Sequence, residues 1–417
     1  MEHTLRILNA VITALFFLCY SYQFAYIPLA WRKRKKQDTL PPKPHRYAVL
    51  IAARNEAAVI GDLLESLHRQ TYNRSLVTVF VIADNCTDTT AAIARRHGAV
   101  VYERFDRTFV GKGYALDELL QHIRRDDPRG FDGYFVFDAD NVLAEDYIER
   151  MNESFSQGYA IITGYRNSKN YGDNWVSSGY ALWFLRESRY LNGARHTIGS
   201  SCAVSGTGFL FSRDVLNETD GWPFHLLTED IQFSIYHILR GRRVAFCEEA
   251  VLFDEQPTSF RQSCRQRMRW AKGYLQVFEK YGRELLRGIF RGSWSCFDMT
   301  MNIMPAFVLS TASILLNVVA IVWGVLTGHG IRFTIQTLLG CLGSMLLTLL
   351  VLGGITAVTE WRHIHAPAWR KLLSVVTFPL FMLTYLPISL AAVFAPVEWK
   401  PIIHSVSGEK VRNLSKT

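Results

Sequence analysis

The sequence predicts an α/β fold, a mostly parallel sheet covered by helices, with transmembrane helices at both ends of the chain. Three observations predict it. Short apolar runs alternate with amphipathic stretches between residues 47 and 137, the pattern of strands joined by covering helices. Polar clusters follow the strands, where ligands of such sheets bind. Long apolar runs occupy the two ends of the 417-residue chain.

In order, Leu5 to Trp31 is nearly all apolar and long enough to span a bilayer. The basic run Arg32-Lys33-Arg34-Lys35-Lys36 follows it, and no small-residue cleavage site precedes that run. An uncleaved anchor with its C-terminal side in the cytoplasm fits better than a signal peptide. Residues 37–45 form a proline-stiffened linker. Strands are expected at Tyr47–Ala53, Leu76–Ala83, Ala99–Tyr102 and Tyr134–Phe137, and helices at Glu56–Gln70, Asp88–His97 and Gly113–Ile123. After about Tyr281 the apolar pattern returns. Met304–Thr327, Phe333–Val358 and Leu372–Ala395 are each long enough to cross. The expected division is 1–31 anchor, 32–45 linker, 46–258 cytoplasmic domain, 259–303 amphipathic interfacial helices, 304–395 membrane helices and 396–417 basic tail. Basic residues flank the Glu360–Lys371 loop, which places it in the cytoplasm. Three crossings from a cytoplasmic domain put the tail outside, whereas its lysines and arginine favour inside. Pro305, Pro379 and Pro387 would permit a re-entrant segment.

Composition narrows the function. The net charge of +9 follows membrane topology rather than forming an aromatic-laced basic stripe, which argues against nucleic acid as a partner. Seven scattered cysteines with no CxxC pair read as reduced packing residues of a cytosol-facing protein, and exclude a structural zinc site.

The chemistry-bearing residues sit at strand ends and helix starts. Asp138-Ala139-Asp140 puts two carboxylates within reach of one hard cation, Mg2+ or Mn2+, which could bridge the phosphates of a nucleotide; an ordinary loop is the competing reading. Asp84, after the second strand, could accept from a base or ribose, or simply form an Asx-turn. Gly111-Lys112-Gly113 offers a cation to phosphate without P-loop spacing, and no GxGxxG follows the first strand. Thr228-Glu229-Asp230 opens an apolar-periodic segment and fits a charged first helical turn. In Gln266-Arg267-Met268-Arg269-Trp270, Arg269 shares a helix face with Arg265, which also suits a basic helix on an anionic membrane.

Taken in order, Asp84, Asp138-Ala139-Asp140, Thr228-Glu229-Asp230 and Gln266-xx-Arg269-Trp270 followed by membrane segments, the chain resembles the membrane-embedded family 2 glycosyltransferases. These include the cellulose, chitin, hyaluronan and poly-N-acetylglucosamine synthases. The resemblance covers nearly the whole chain and implies a GT-A-like domain that binds a UDP-sugar. It implies that Ala53, Glu56, Asp84, Lys112 and Asp138 serve the donor nucleotide, and that Asp138 and Asp140 hold Mg2+ or Mn2+, Asp140 being the more direct ligand. Asp230 resembles the general base, with Glu229 orienting beside it. The resemblance also implies that Gln266, Arg269 and Trp270 hold diphosphate and acceptor, and that Ser205-Gly206-Thr207-Gly208 forms a floor under the acceptor. The tail Glu398-Trp399-Lys400-Pro401-Ile402-Ile403-His404 departs from the tryptophan motifs of those synthases, which leaves the sugar open, but can act near the donor pocket. The expected activity is an inverting, processive transfer that builds a β-linked polysaccharide and secretes it across the plasma membrane, with room for an accessory subunit. The alternatives are transfer of one sugar to a membrane lipid, as in the ceramide glucosyltransferases, and a non-catalytic carbohydrate-binding or transport protein.

Overall fold

The structure is a computed structural model that describes residues 2–32, 41–327, 331–397 and 404. Most of the basic run after the anchor, part of the linker and nearly all of the tail lie outside the described residues.

Eight strands form one sheet: β1 Tyr47–Ala53, β2 Val77–Asp84, β3 Val100–Arg104, β4 Gly133–Asp138, β5 Val142–Leu143, β6 Ile161–Ser168, β7 Phe209–Ser212 and β8 Val244–Asp254, in the order β3-β2-β1-β4-β7-β6-β8-β5. The first four strands pair in parallel, as do β6 and β8. Strand β7 runs antiparallel to both β4 and β6, and β5 antiparallel to β8. The sheet is thus mixed, mostly parallel. The segment YAVLIAA of β1 is apolar on both faces because both are covered, as a central parallel strand requires. One face packs on the Lys112–Asp126 helix and the aromatic group around Trp222; the other packs on the helices Ile60–His68 and Tyr147–Ser156.

Where the helices start differs from the periodicity. The helix expected at Glu56 begins at Ile60. Asn55 stands at φ 57°, and the Glu56 and Ala57 amides donate to Thr90 Oγ1 (2.9 Å) and Asp88 Oδ2 (3.2 Å). Those bonds hold residues 55–57 as a loop beside the strand ends. Asp88 in turn accepts from the Thr90 amide at 3.0 Å, and its helix begins at Thr90.

The apolar ends are helical. Among the described residues, Ile7–Ala30, Leu338–Thr359 and Ala368–Phe394 are long and apolar enough to cross a membrane, and the helix Pro305–Thr327 contains the apolar stretch Thr311–Thr327. The last crossing is divided at Thr384 into Ala368–Leu383 and Tyr385–Phe394, with Pro379 inside the first piece. Pro387 lies in the first turn of the second piece, where a missing N–H costs no helical bond. The long amphipathic helix Phe260–Phe290 and the helix Trp294–Ile303 lie between domain and membrane helices in sequence. A fully buried pair fastens these parts: Arg195 donates to both Asp298 oxygens, at 2.7 and 2.9 Å. Tyr22 and Tyr26 of the N-terminal segment donate to the same carboxylate at 2.7 and 2.8 Å. With that many donors the buried charge is compensated.

Candidate active site

The carboxyl ends of β1, β2, β4 and β8 open into one cavity of about 420 Å³. Its wall includes the nucleotide, carboxylate and helix residues singled out above and, of the Ser205-Gly206-Thr207-Gly208 segment, Ser205 and Gly206 but not Thr207 or Gly208. Ala53, Glu56, Asp84, Lys112 and Asp138 stand on the strand-end side, with Asp140 beside them. Glu229 and Asp230 sit in the middle with Gly206, and Gln266, Arg269 and Trp270 come from the Phe260–Phe290 helix. The sheet and that helix therefore bring together residues up to 217 positions apart, from Ala53 to Trp270.

Asp84 ends β2 almost fully buried and accepts from Arg104 Nη1 at 2.8 Å. Arg54 Nη1 lies 4.0 Å from its other oxygen. Asn85 has φ 51° and its side-chain amide donates to Asp84 Oδ1 at 2.8 Å, so the bonds that Asp84 accepts from Arg104 and Asn85 come from side chains, where an Asx-turn would use a backbone amide. Lys112, at the start of its helix, donates to Asp138 Oδ1 at 2.5 Å and to the Gly206 carbonyl at 2.7 Å. Burial works against that cation, but Asp138, Glu229 and Asp230 outweigh it and raise the ammonium above its ordinary range. It is the electrostatic centre of the site.

Thr228 precedes the helix Glu229–Leu239, so Glu229 and Asp230 stand in its first turn, where the helix dipole favours negative charge. Burial still pushes both carboxyls up. For Glu229 the neighbouring Asp230 adds to the rise; Lys112 and Arg269 oppose it for both. The pair titrates as a unit. An acid group with a raised pKa that remains ionised near neutrality is suited to accept a proton. Gly206, at φ 77°, is where the floor approaches this pair: a Cβ there would lie 3.8 Å from Asp230 Oδ2.

Gln266 Oε1 is buried and has no partner among the described residues, although its residue lines the cavity. Trp270 stands edge-on to Tyr180 and Phe184, with ring centroids 5.7 and 6.2 Å away. Arg267, between them in sequence, turns the other way. It is fully buried, donates to the Phe381 carbonyl (3.2 Å) and Thr384 Oγ1 (2.6 Å), and lies over the Phe381 and Tyr385 rings. It locks the helix carrying Arg269 onto the last membrane helices.

The donor set suits a hard cation. Among the described residues no three His, Cys, Asp or Glu side chains converge as a preformed metal cage. Magnesium or manganese bound with nucleotide phosphates takes only one or two carboxylates from the protein. Asp138 and Asp140 supply two at the strand end, Asp140 oriented by the Glu255 amide, which donates at 2.9 Å.

The sequence pattern missed several lining residues. Asp254 and Glu255 stand at the carboxyl end of β8, and the strand-end rule would have found them had β8 been read. Asp254 is paired with Arg166, and burial pushes its carboxyl up to about 6. Trp183, Phe184, Glu187 and Tyr274 carry no motif. His404 places one point of the tail in the cavity, with Nδ1 3.0 Å from Glu56 Oε2. Burial opposes its charge, yet Asp140 and Glu56 push it up to about 10.

Residues 44–273 match a family model described as glycosyltransferase like family 2. The beta-monoglucosyldiacylglycerol synthase of Nostoc sp. is 25% identical over 385 residues, covering 87% of this chain and 77% of that protein. The poly-beta-1,6-N-acetyl-D-glucosamine synthase of Staphylococcus aureus is 26% identical over 256 residues, 58% of each chain. Among solved structures, the mannosyltransferase PcManGT from Pyrobaculum calidifontis, determined with GDP-Man and Mn2+, aligns at TM-score 0.57 and 16% identity. The alignment covers 93% of this chain and 99% of that one, a likeness of fold.

Proposed function

We propose, for a chain that belongs to glycosyltransferase family 2 and has a GT-A-like fold, that it moves one sugar from a UDP-sugar to the hydroxyl of a membrane lipid. One observation carries this reading. The cavity that holds the donor-side carboxylates continues past Asp230 to Thr311, Met382, Leu386 and Ser389 of the apolar helices. A hydroxyl presented by a lipid lying among those helices would meet Asp230 without leaving the bilayer boundary. The relatives weigh the same way, because the likeness to the glucosyldiacylglycerol synthase covers 87% of the chain, whereas that to the polysaccharide synthase covers 58% of it.

In this reading the lipid oxygen attacks the anomeric carbon, the bond from that carbon to the diphosphate breaks, and the hydroxyl proton passes to Asp230. Attack opposite the leaving group inverts the configuration. Glu229 keeps the site negative beside the base, and Lys112 sits between the two acidic pairs to offset charge as the diphosphate leaves. Arg269 offers a planar fork to phosphate oxygens, Trp270 a flat face to the sugar, and Gln266 Oε1 an acceptor for a sugar hydroxyl. Ala53, Glu56 and Asp84 flank the nucleotide. Asp138 and Asp140 would hold a Mg2+ or Mn2+ ion, which supplies further positive charge to the diphosphate. This reading puts the catalytic domain on the cytoplasmic side, which the basic residues flanking the apolar runs favour.

Polymer synthesis is the second reading, and the likeness to the poly-N-acetylglucosamine synthase favours it. Solvent partition decides between the two. With radiolabelled UDP-sugar and purified protein in lipid nanodiscs, single transfer puts label in the organic phase as one species. A polymerase leaves it in the aqueous or insoluble fraction as a ladder.

A further inference from the structure

Glu187 is a second carboxylate on the acceptor side of the cavity, and no motif contains it. The helix Trp175–Arg186 aligns Trp183, Phe184 and Glu187 toward the cavity at helical spacing. From Glu187 the backbone winds into a π-helical turn, Glu187–Asn192, an irregularity frequent at functional sites. The turn changes the helical phase, so that Tyr190 and Leu191 pack instead against the N-terminal segment at Tyr26. Ser205 Oγ donates to Glu187 Oε1 at 2.6 Å, and Arg166 Nη1 holds the Ser205 carbonyl at 2.9 Å. Arg166 is itself paired with Asp254. A carboxylate accepts up to about four hydrogen bonds, and one kept at a protein-lined surface costs free energy unless they are made. Tyr274 lies close enough to both Glu187 and Asp230 that, after burial, their charges hold its phenol above the ordinary value. Ser205 touches Glu187 and the next residue, Gly206, approaches Asp230, so consecutive residues of one lining segment join the two carboxylates.

We propose that Glu187 is a positioning residue that accepts a hydrogen bond from a second hydroxyl of the acceptor headgroup, beside the hydroxyl that Asp230 deprotonates. This rests on the lipid-acceptor reading above and sharpens it: the preferred acceptor is a lipid with two neighbouring hydrogen-bond donors rather than one. A site built to bind a hydroxyl discriminates strongly against an analogue that lacks it, because the buried acceptor is left unpaired.

The test compares 1-oleoylglycerol with its 2-O-methyl ether as acceptors in mixed vesicles, using full-length protein. Wild type is expected to prefer the diol by about ten-fold or more in kcat/KM, mainly through KM. In Glu187→Gln and Glu187→Asp the preference falls to within about three-fold, while UDP binding by calorimetry keeps its wild-type affinity. An equal loss on both acceptors, or loss of UDP binding in both variants, would assign Glu187 a structural role and overturn the proposal. An unchanged preference in the variants would also overturn it. If wild type glycosylates neither lipid while releasing UDP and adding its sugar to a polymer, the lipid-acceptor reading itself fails, and the proposal with it.

Discussion

Gly273 lies against Thr228 with no side chain between them: a Cβ at Gly273 would fall 2.5 Å from Thr228 Cγ2 and 2.6 Å from its Oγ1. Thr228 opens the helix of Glu229 and Asp230, and Gly273 follows Trp270 on the helix of Arg269. The absent side chain sets how closely the helix of Glu229 and Asp230 approaches the helix of Arg269 and Trp270. Gly273→Ala is expected to lower kcat by about 10²-fold, the cost of a shift near 1 Å in a reacting constellation. Steady-state UDP release with calorimetric UDP binding checks it. A variant within two-fold of wild type would show that this contact does not set the spacing.

The pH profile follows from burial. Asp230 and Glu229 titrate above the usual carboxylate range, and the base must be ionised to work. Activity should be lost as pH falls through that raised value, giving an acid limb in kcat/KM above the ordinary aspartate value of 3.8. Glu229→Gln removes a neighbouring negative charge and should move the limb to lower pH. Asp230→Asn should remove it, with kcat down by about 10²–10⁴-fold.

Lys112 balances two acidic pairs at once. Lys112→Met leaves Asp138 without its 2.5 Å partner and the leaving diphosphate with one cation fewer. A loss in kcat of about 10²–10³-fold is expected, as for removal of one electrostatic donor. A full-rate Lys112→Met enzyme in the release assay would remove Lys112 from the account.

Metal dependence should be of the hard-cation kind. Chelation by EDTA should abolish transfer, and Mg2+ or Mn2+ should restore it. Asp140→Asn should raise the metal concentration for half-maximal activity, measured by titrating Mn2+ at fixed donor. Transfer undiminished in EDTA would exclude this role for Asp138 and Asp140.

Arg267 links the helix of Gln266, Arg269 and Trp270 to the last apolar helices. Its guanidinium meets a carbonyl, a hydroxyl and aromatic faces. Arg267→Ala removes both hydrogen bonds, each worth about 0.5–1.5 kcal/mol net, and opens a void where the side chain was fully buried. The thermal midpoint in detergent should fall by several degrees, and Arg267→Lys should recover only part of it.

Much of this was legible in the sequence because the relevant physics is local. The segment YAVLIAA has a strand's apolar run, and the acids that end β2 and β4 follow the rule for open α/β sheets. Asp84, Asp138, Asp230 and Arg269 could be named before their distances were known. What could not be read depends on partners far along the chain. The loop at Asn55–Ala57 replaces a helical turn because Asp88 and Thr90 capture its amides. The antiparallel β7 enters between β4 and β6, a pairing that four residues of periodicity cannot specify. Glu187 belongs to the cavity because a helix face and a π-turn bring it there, and its flanking residues Phe184-Leu185-Arg186 read as ordinary helix. The acceptor was the least legible feature, since the same carboxylates and cations serve a lipid or a polymer end.

The most direct measurement is UDP release by purified protein in nanodiscs with Mn2+, given UDP-glucose, UDP-N-acetylglucosamine or UDP-glucuronate, with and without added diacylglycerol or monoacylglycerol. Asp230→Asn is run alongside. The account predicts that one donor supports release that depends on added lipid, yields one glycolipid per UDP, and falls in the mutant by about 10²-fold or more. Lipid-independent release with a long product, or release undiminished in Asp230→Asn, would contradict it.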